Sequence, residues 1–134
     1  MEFININWLA VLTAGLAAFM VGGIWYSKIL FADAWMTDSN LTTEQLKTGN
    51  KGKIFGFTFF FSLAMAATIA LFLNHGKPGL GYGVAVGFHA GLLAFSAIAI
   101  HSLFELKSWR LIFINGGYIV VSLTLMGAII GCWR

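Results

Sequence analysis

Charged residues fall in clusters along this chain, and long apolar intervals separate them. Four apolar runs stand out: Trp8–Ser27, Ile54–Leu73, Leu80–Phe104 and Trp109–Trp133, the last with Arg110 near its start. Leu80–Phe104 has 25 residues and no Asp, Glu, Lys or Arg. At about 1.5 Å of rise per residue, such a helix exceeds the roughly 30 Å of bilayer hydrocarbon. A soluble strand or buried helix would be shorter and bounded by polar turns. The pattern predicts an all-α integral membrane protein in a single domain. Its four transmembrane helices are expected over about residues 6–30, 53–74, 80–105 and 109–132. Short connections make neighbours antiparallel, giving an antiparallel bundle.

The first run competes with a cleaved signal peptide. That reading requires basic residues before a shorter apolar core, and the lead-in here carries Glu2 and no Lys or Arg. A retained helix is therefore expected, continuing past Ser27 toward Trp35 along the interface, with Lys28 snorkelling. Trp8 and Trp25 are placed as interfacial anchors at its two ends. Residues 36–52 form the only substantial soluble segment. Thr42 with Gln45 fits a capping box there, predicting a short helix from about Thr43 to Lys47 that ends at Gly49 and Asn50. Asn74–Gly79 reads as a tight turn with Pro78 as breaker.

Small residues are spaced for helix contact. Gly79, Gly83, Gly87 and Gly91 recur at every fourth position of the third helix. In water each glycine would weaken a helix by about 1 kcal/mol; in lipid, small residues let backbones approach. A partly overlapping seam runs Gly83, Gly87, Ala90, Ala94, Ala97 and His101, continued by Glu105. Ala10, Ala14, Ala18 and Gly22 make a second ridge, suited to the third helix, and Gly127 with Gly131 adds another.

Composition supports this picture. The 134 residues are 59% hydrophobic and 10% charged, with a mean hydropathy of +0.85, against about 25% charged in soluble domains. The net charge of +3 does not point to nucleic acid, because the basic residues lie between apolar runs. Lys28, Lys47, Lys51, Lys53, Lys107 and Arg110 fall on one side, and Lys77 and Arg134 on the other. That bias places the 36–52 loop in the cytoplasm and both termini outside. The sequon at Asn40-Leu41-Thr42 is then irrelevant. The single Cys132 forms neither an internal disulfide nor a cysteine metal cluster. The two halves show no internal repeat, so an inverted-repeat transporter has no support from pattern.

Polar residues inside the spans are the candidates for chemistry. Ser27, His101, Glu105 and Asn115 all lie toward the cytoplasmic half, where they are a candidate polar pocket. His101 and Asn115 fall at similar depth, so a bond across the interface is expected; it would serve as packing glue or line the pocket. Glu105 has Lys107 and Arg110 within reach. His89 lies near the midplane, off the main seam, where a neutral imidazole bonded to a backbone carbonyl is one reading and a haem or metal ligand another. No phosphate loop, nucleophile elbow or dinucleotide fingerprint occurs. No catalytic residue, metal or cofactor is expected.

Several blocks, in order, carry a family resemblance. They are Asn7-Trp8-Leu9-Ala10-Val11, Gly22-Gly23-Ile24-Trp25-Tyr26-Ser27 with Trp35, Phe104-Glu105 with Lys107, Leu111-Ile112-Phe113-Ile114-Asn115-Gly116-Gly117-Tyr118, and Met126-Gly127-Ala128-Ile129-Ile130-Gly131. Together they resemble the bacterial family called domain of unknown function 1761, small integral membrane proteins. The resemblance implies four transmembrane helices and no established activity. Its matching motif residues are Trp25, Tyr26, Ser27, Glu105, Asn115, Gly117 and Tyr118. A histidine often follows the tyrosine in that family; Ile119 stands there instead, which counts against a mechanism requiring it.

Three functional readings follow. The first is a non-enzymatic membrane protein that self-associates or serves a larger membrane complex, because the small-residue ridges exceed what one bundle needs. The second is a channel or transporter for a small solute or protons, with Ser27, His101, Glu105 and Asn115 around a cytoplasm-facing vestibule. The third, a membrane enzyme or haem carrier using His89 and His101, has the least behind it.

Overall fold

The computed structural model describes residues 5–76 and 79–133. Glu2 of the lead-in, Lys77 and Arg134 of the charge bias, and Pro78 of the expected turn lie outside the described residues. Within them the chain is all-helical, with six helices and no strand. They are α1 (Trp8–Trp25), α2 (Ala32–Ser39), α3 (Thr43–Thr48), α4 (Lys51–Asn74), α5 (Leu80–Phe104) and α6 (Trp109–Cys132). Helices α1, α4, α5 and α6 are long and apolar enough to cross a membrane.

Local chemistry sets the helix starts. Asn7, Asn50 and Ser108 each turn a side-chain oxygen onto the backbone N–H three residues ahead, at 3.1 Å in all three cases, satisfying one of the orphan donors of a first turn. Thr42 and Gln45 form both halves of the expected capping box before α3. Helix α2 ends at Asn40, whose φ of 57° is the left-handed conformation that asparagine tolerates.

Two expectations about α1 are corrected. The helix stops at Trp25 instead of continuing to about residue 30. Ser27 donates its hydroxyl back to the Ile24 carbonyl at 2.6 Å, and the Ala32 N–H reaches the Ser27 carbonyl at 3.0 Å. The chain thus closes a turn that starts a separate helix, α2. The alanine ridge also faces different neighbours. Ala10, Ala14 and Ala18 are buried where α1 packs on α4 and α6, not on α5. Gly15 of that helix lies against Leu63 of α4, and Phe19 sets its ring edge-on to Phe55 and Phe59 at 6.1 and 5.9 Å.

The tightest pairing is α5 with α6. A Cβ on Gly83 would strike the Gly127 carbonyl oxygen, one on Gly127 the Gly83 carbonyl oxygen, and one on Gly87 the Leu123 carbonyl oxygen. Gly91 lies on Val120, and Gly116 on the Phe95 ring. Contact positions fall along α6 as they rise along α5. The Gly79 N–H donates to the Gly131 carbonyl at 3.0 Å, and Gly79 has a φ of 131°, which only glycine adopts without strain. Contact follows the strict fourth-residue row Gly83, Gly87, Gly91 and Phe95. The mixed seam fails beyond Ala94: Ala97, His101 and Glu105 are exposed. One helix can present only one such row to a straight partner, and backbone-to-backbone approach at the glycines selects it.

Helix α6 is the most buried of the four long helices and α5 the least. At the far end, Asn7 Nδ2 donates to the Trp133 carbonyl at 2.9 Å, tying the start of α1 to the end of α6.

Candidate functional site

Polar chemistry gathers where α1 and α5 finish and α6 begins. Two aromatic side chains at the end of α1 turn inward onto α6. The Trp25 indole N–H donates to the Ile114 carbonyl at 2.8 Å, and the Tyr26 hydroxyl donates to Asn115 Oδ1 at 2.7 Å. Trp25 is therefore not the outward-facing anchor expected from its position. A third ring, Tyr118, stands one turn along α6 from Asn115. It meets Tyr26 edge-on at 5.5 Å, and its hydroxyl approaches the Ala18 carbonyl at 3.4 Å.

Glycines make room for these rings. A Cβ on Gly22 would lie 3.0 Å from the Tyr118 hydroxyl, and one on Gly117 would lie 3.2 Å from the Trp25 ring. Phe31 and Trp35, on the turn and on α2, pack at 4.9 Å from Trp25 and 5.4 Å from Tyr26. The cluster thus joins α1, the turn, α2 and α6 through hydrogen bonds and edge-on or tilted ring contacts.

Next to it lies a charged clip. Arg110 Nε and Nη2 donate to Asp38 Oδ2 and Oδ1 at 2.7 and 2.6 Å, and the Ser108 hydroxyl donates to Oδ2 at 2.8 Å. The two-pronged geometry is the strong form of an arginine–carboxylate pair. The Arg110 hydrogen bond, aided by Ser108, holds the Asp38 carboxyl below the usual carboxylate range. Between the clip and the ring cluster runs an open groove of about 340 Å³, lined by Phe31, Ala34, Arg110, Phe113 and Ile114.

The polar-pocket candidates separate in this arrangement. Asn115 belongs to the cluster, bonded to Tyr26 and not to His101 as expected. Ser27 is adjacent to Tyr26 but bonds within its own helix end. His101 on α5 and Glu105 just past its end are exposed, and among the described residues their side chains take no hydrogen-bond partner. Arg110, expected within reach of Glu105, is bound to Asp38. His89 is exposed on α5, its Nδ1–H donating to the Ala85 carbonyl at 2.6 Å. Among the described residues, no three of His, Cys, Asp and Glu are placed to hold a metal ion.

The residues that interlock here are those that carried the sequence resemblance: Trp25, Tyr26, Asn115, Gly117 and Tyr118. Residues 9–131 match the sequence profile of a family described as a protein of unknown function, DUF1761. The chain belongs to that family. No curated protein and no solved structure matches it. In this DUF1761 chain the blocks at the end of α1 and the start of α6 meet as one contact surface. Ser27 and Glu105, from the same motifs, stay outside the bonded cluster.

Sequence reasoning passed over Asp38 entirely. It stands 72 positions from Arg110, in a segment read as a soluble loop. Tyr26 and Tyr118 were visible only through the family resemblance, since an aromatic residue near a span end is ordinarily read as an interface anchor.

Proposed function

We propose that this DUF1761 chain is an integral membrane protein folded as an antiparallel four-helix bundle in a bacterial inner membrane. The segment between α1 and α4 lies in the cytoplasm and both ends lie outside. It works without catalysis, by associating with itself or with a larger membrane complex.

The observation that carries this reading is the free face of α5. This helix packs chiefly on α6 and is the least buried of the four spans. Its outward side carries His89 near the middle and Ser96 on the same face, both exposed. Ser96 returns its hydroxyl to the Leu92 carbonyl at 2.8 Å, and His89 uses one ring nitrogen on Ala85. The second nitrogen of His89 has no partner among the described residues. An imidazole facing hydrocarbon is costly, and ionisable residues in spans ordinarily face protein or a water-filled cavity. A further helix against α5 relieves that cost.

Two measurements test the reading. The detergent-solubilised particle should contain more than one 14.6 kDa chain or a co-purifying membrane protein, and a particle with one chain and no companion refutes association. A cysteine at Lys51 should react with impermeant reagent only after the cytoplasmic face is opened; labelling from outside reverses the topology.

The transport reading draws less support, because Asn115 is held by Tyr26 while His101 and Glu105 are exposed. It predicts flux in liposomes that Glu105→Gln reduces; unchanged flux removes it.

A further inference from the structure

We infer that the groove between α2 and the first turns of α6 is a binding site for one anionic phospholipid, with Arg110 receiving the headgroup phosphate. This inference rests on the membrane placement proposed above and is independent of what covers α5.

The groove is apolar except for Arg110. Phe31, Ala34, Phe113 and Ile114 supply its walls. These walls are held in place: Ile114 by the indole bond from Trp25 to its carbonyl, and Phe31 by its ring contact with Trp25. Its volume of about 340 Å³ falls at the small end of ligand-sized sites, about 300–1,000 Å³, enough for part of one acyl chain.

Arg110 is not used up by Asp38. A guanidinium carries five N–H donors, and two of them serve the carboxylate. The side chain remains 57% exposed, so three donors stay available to phosphate oxygens. The clip does not compete with the lipid; it fixes the guanidinium at the groove's rim.

The surroundings select a lipid over a soluble ligand. Ile29, Phe104, Leu106 and Trp109 around the same end are strongly exposed, Leu106 at 91%. In water such a belt would be an unfavourable surface; at a membrane interface it marks the headgroup boundary. Lys28, Lys47, Lys51, Lys53, Lys107 and Arg110 outnumber Asp33, Asp38, Glu44 and Glu105 on this side of the sequence topology. An anionic headgroup matches that excess, with each basic residue near the surface adding roughly fivefold to binding.

The test is native mass spectrometry and thermal melting of the full chain in detergent, with phosphatidylglycerol and phosphatidylcholine of identical acyl chains. The expected result is a preference for phosphatidylglycerol of at least about fivefold, with a higher melting temperature. Arg110→Gln should reduce the preference about fivefold. Asp38→Asn breaks the same clip yet should keep it, because Arg110 remains charged and gains free donors. Equal response to both lipids in the parent chain, or a preference undiminished in Arg110→Gln, overturns the site. So does stabilisation by inorganic phosphate alone to the same extent, which would make the ligand a soluble anion. Loss of the preference in Asp38→Asn as well overturns it too, by making the preference a consequence of the clip. A chain that stays dispersed without detergent sinks the membrane placement itself, an outcome distinct from all of these.

Discussion

The Tyr26 hydroxyl and Asn115 Oδ1, 89 positions apart in sequence, meet at 2.7 Å and join the end of α1 to the second turn of α6. Tyr26→Phe keeps the ring packing on Trp35 and Tyr118 and removes only the donor. Side-chain bonds between membrane helices are worth about 1 kcal/mol, so the detergent melting point should drop by a few degrees. Asn115→Leu should cost a similar amount, and the double variant little more than either single one. Fully additive losses would show that the two residues act separately.

Glycines on α5 should divide sharply by face. Gly83→Ala places a methyl against the backbone carbonyl of Gly127, which no rotamer change relieves. The helices must separate, at a cost of about 1–3 kcal/mol. Gly81→Ala meets nothing within 4 Å and should be neutral or stabilising by up to about 1 kcal/mol, through helix propensity. Melting of the two variants side by side decides; equal effects would deny the backbone contact between α5 and α6.

His101 and Glu105 provide a negative control. Both are exposed and unbonded among the described residues. His101→Ala should change stability by no more than about 0.5 kcal/mol. A substantially larger loss would mean that His101 bonds across to α6 after all.

The Asp38–Arg110 clip should respond to acid in one direction. Its folded carboxyl is held below the unfolded value, so the charged form is the stabilising one. The contribution is full well above the unfolded carboxylate range of about 3.9 and is lost as pH falls through the folded value. Melting curves of the parent and of Asp38→Asn should therefore differ most near neutral pH and converge in strong acid. Both curves should also converge in high salt, because the pair lies at the surface. A gap that widens toward low pH would contradict the assignment.

The elements themselves were largely legible in the sequence. Charge-free length located the four long helices because hydrocarbon requires about 20 apolar residues in a row. Local caps were legible as well: Thr42 and Gln45 announce α3 from positions three residues apart. The candidate site was less so. Asn115 stands out in the sequence as a polar residue within a span, but depth alone pairs it with His101, whereas Tyr26 is the one that reaches it.

Length, apolarity and local caps are properties of neighbouring residues, so the sequence alone determined an all-helical chain with four spans long enough for a membrane. Partner choice is different. The α1 ridge turned to α4 and α6, one glycine row prevailed over the mixed seam, and Asp38 found Arg110. Each outcome depends on how the helices are rotated about their axes and which backbones come closest. Those rotations are fixed only when all the helices pack together, so the tertiary structure decided them.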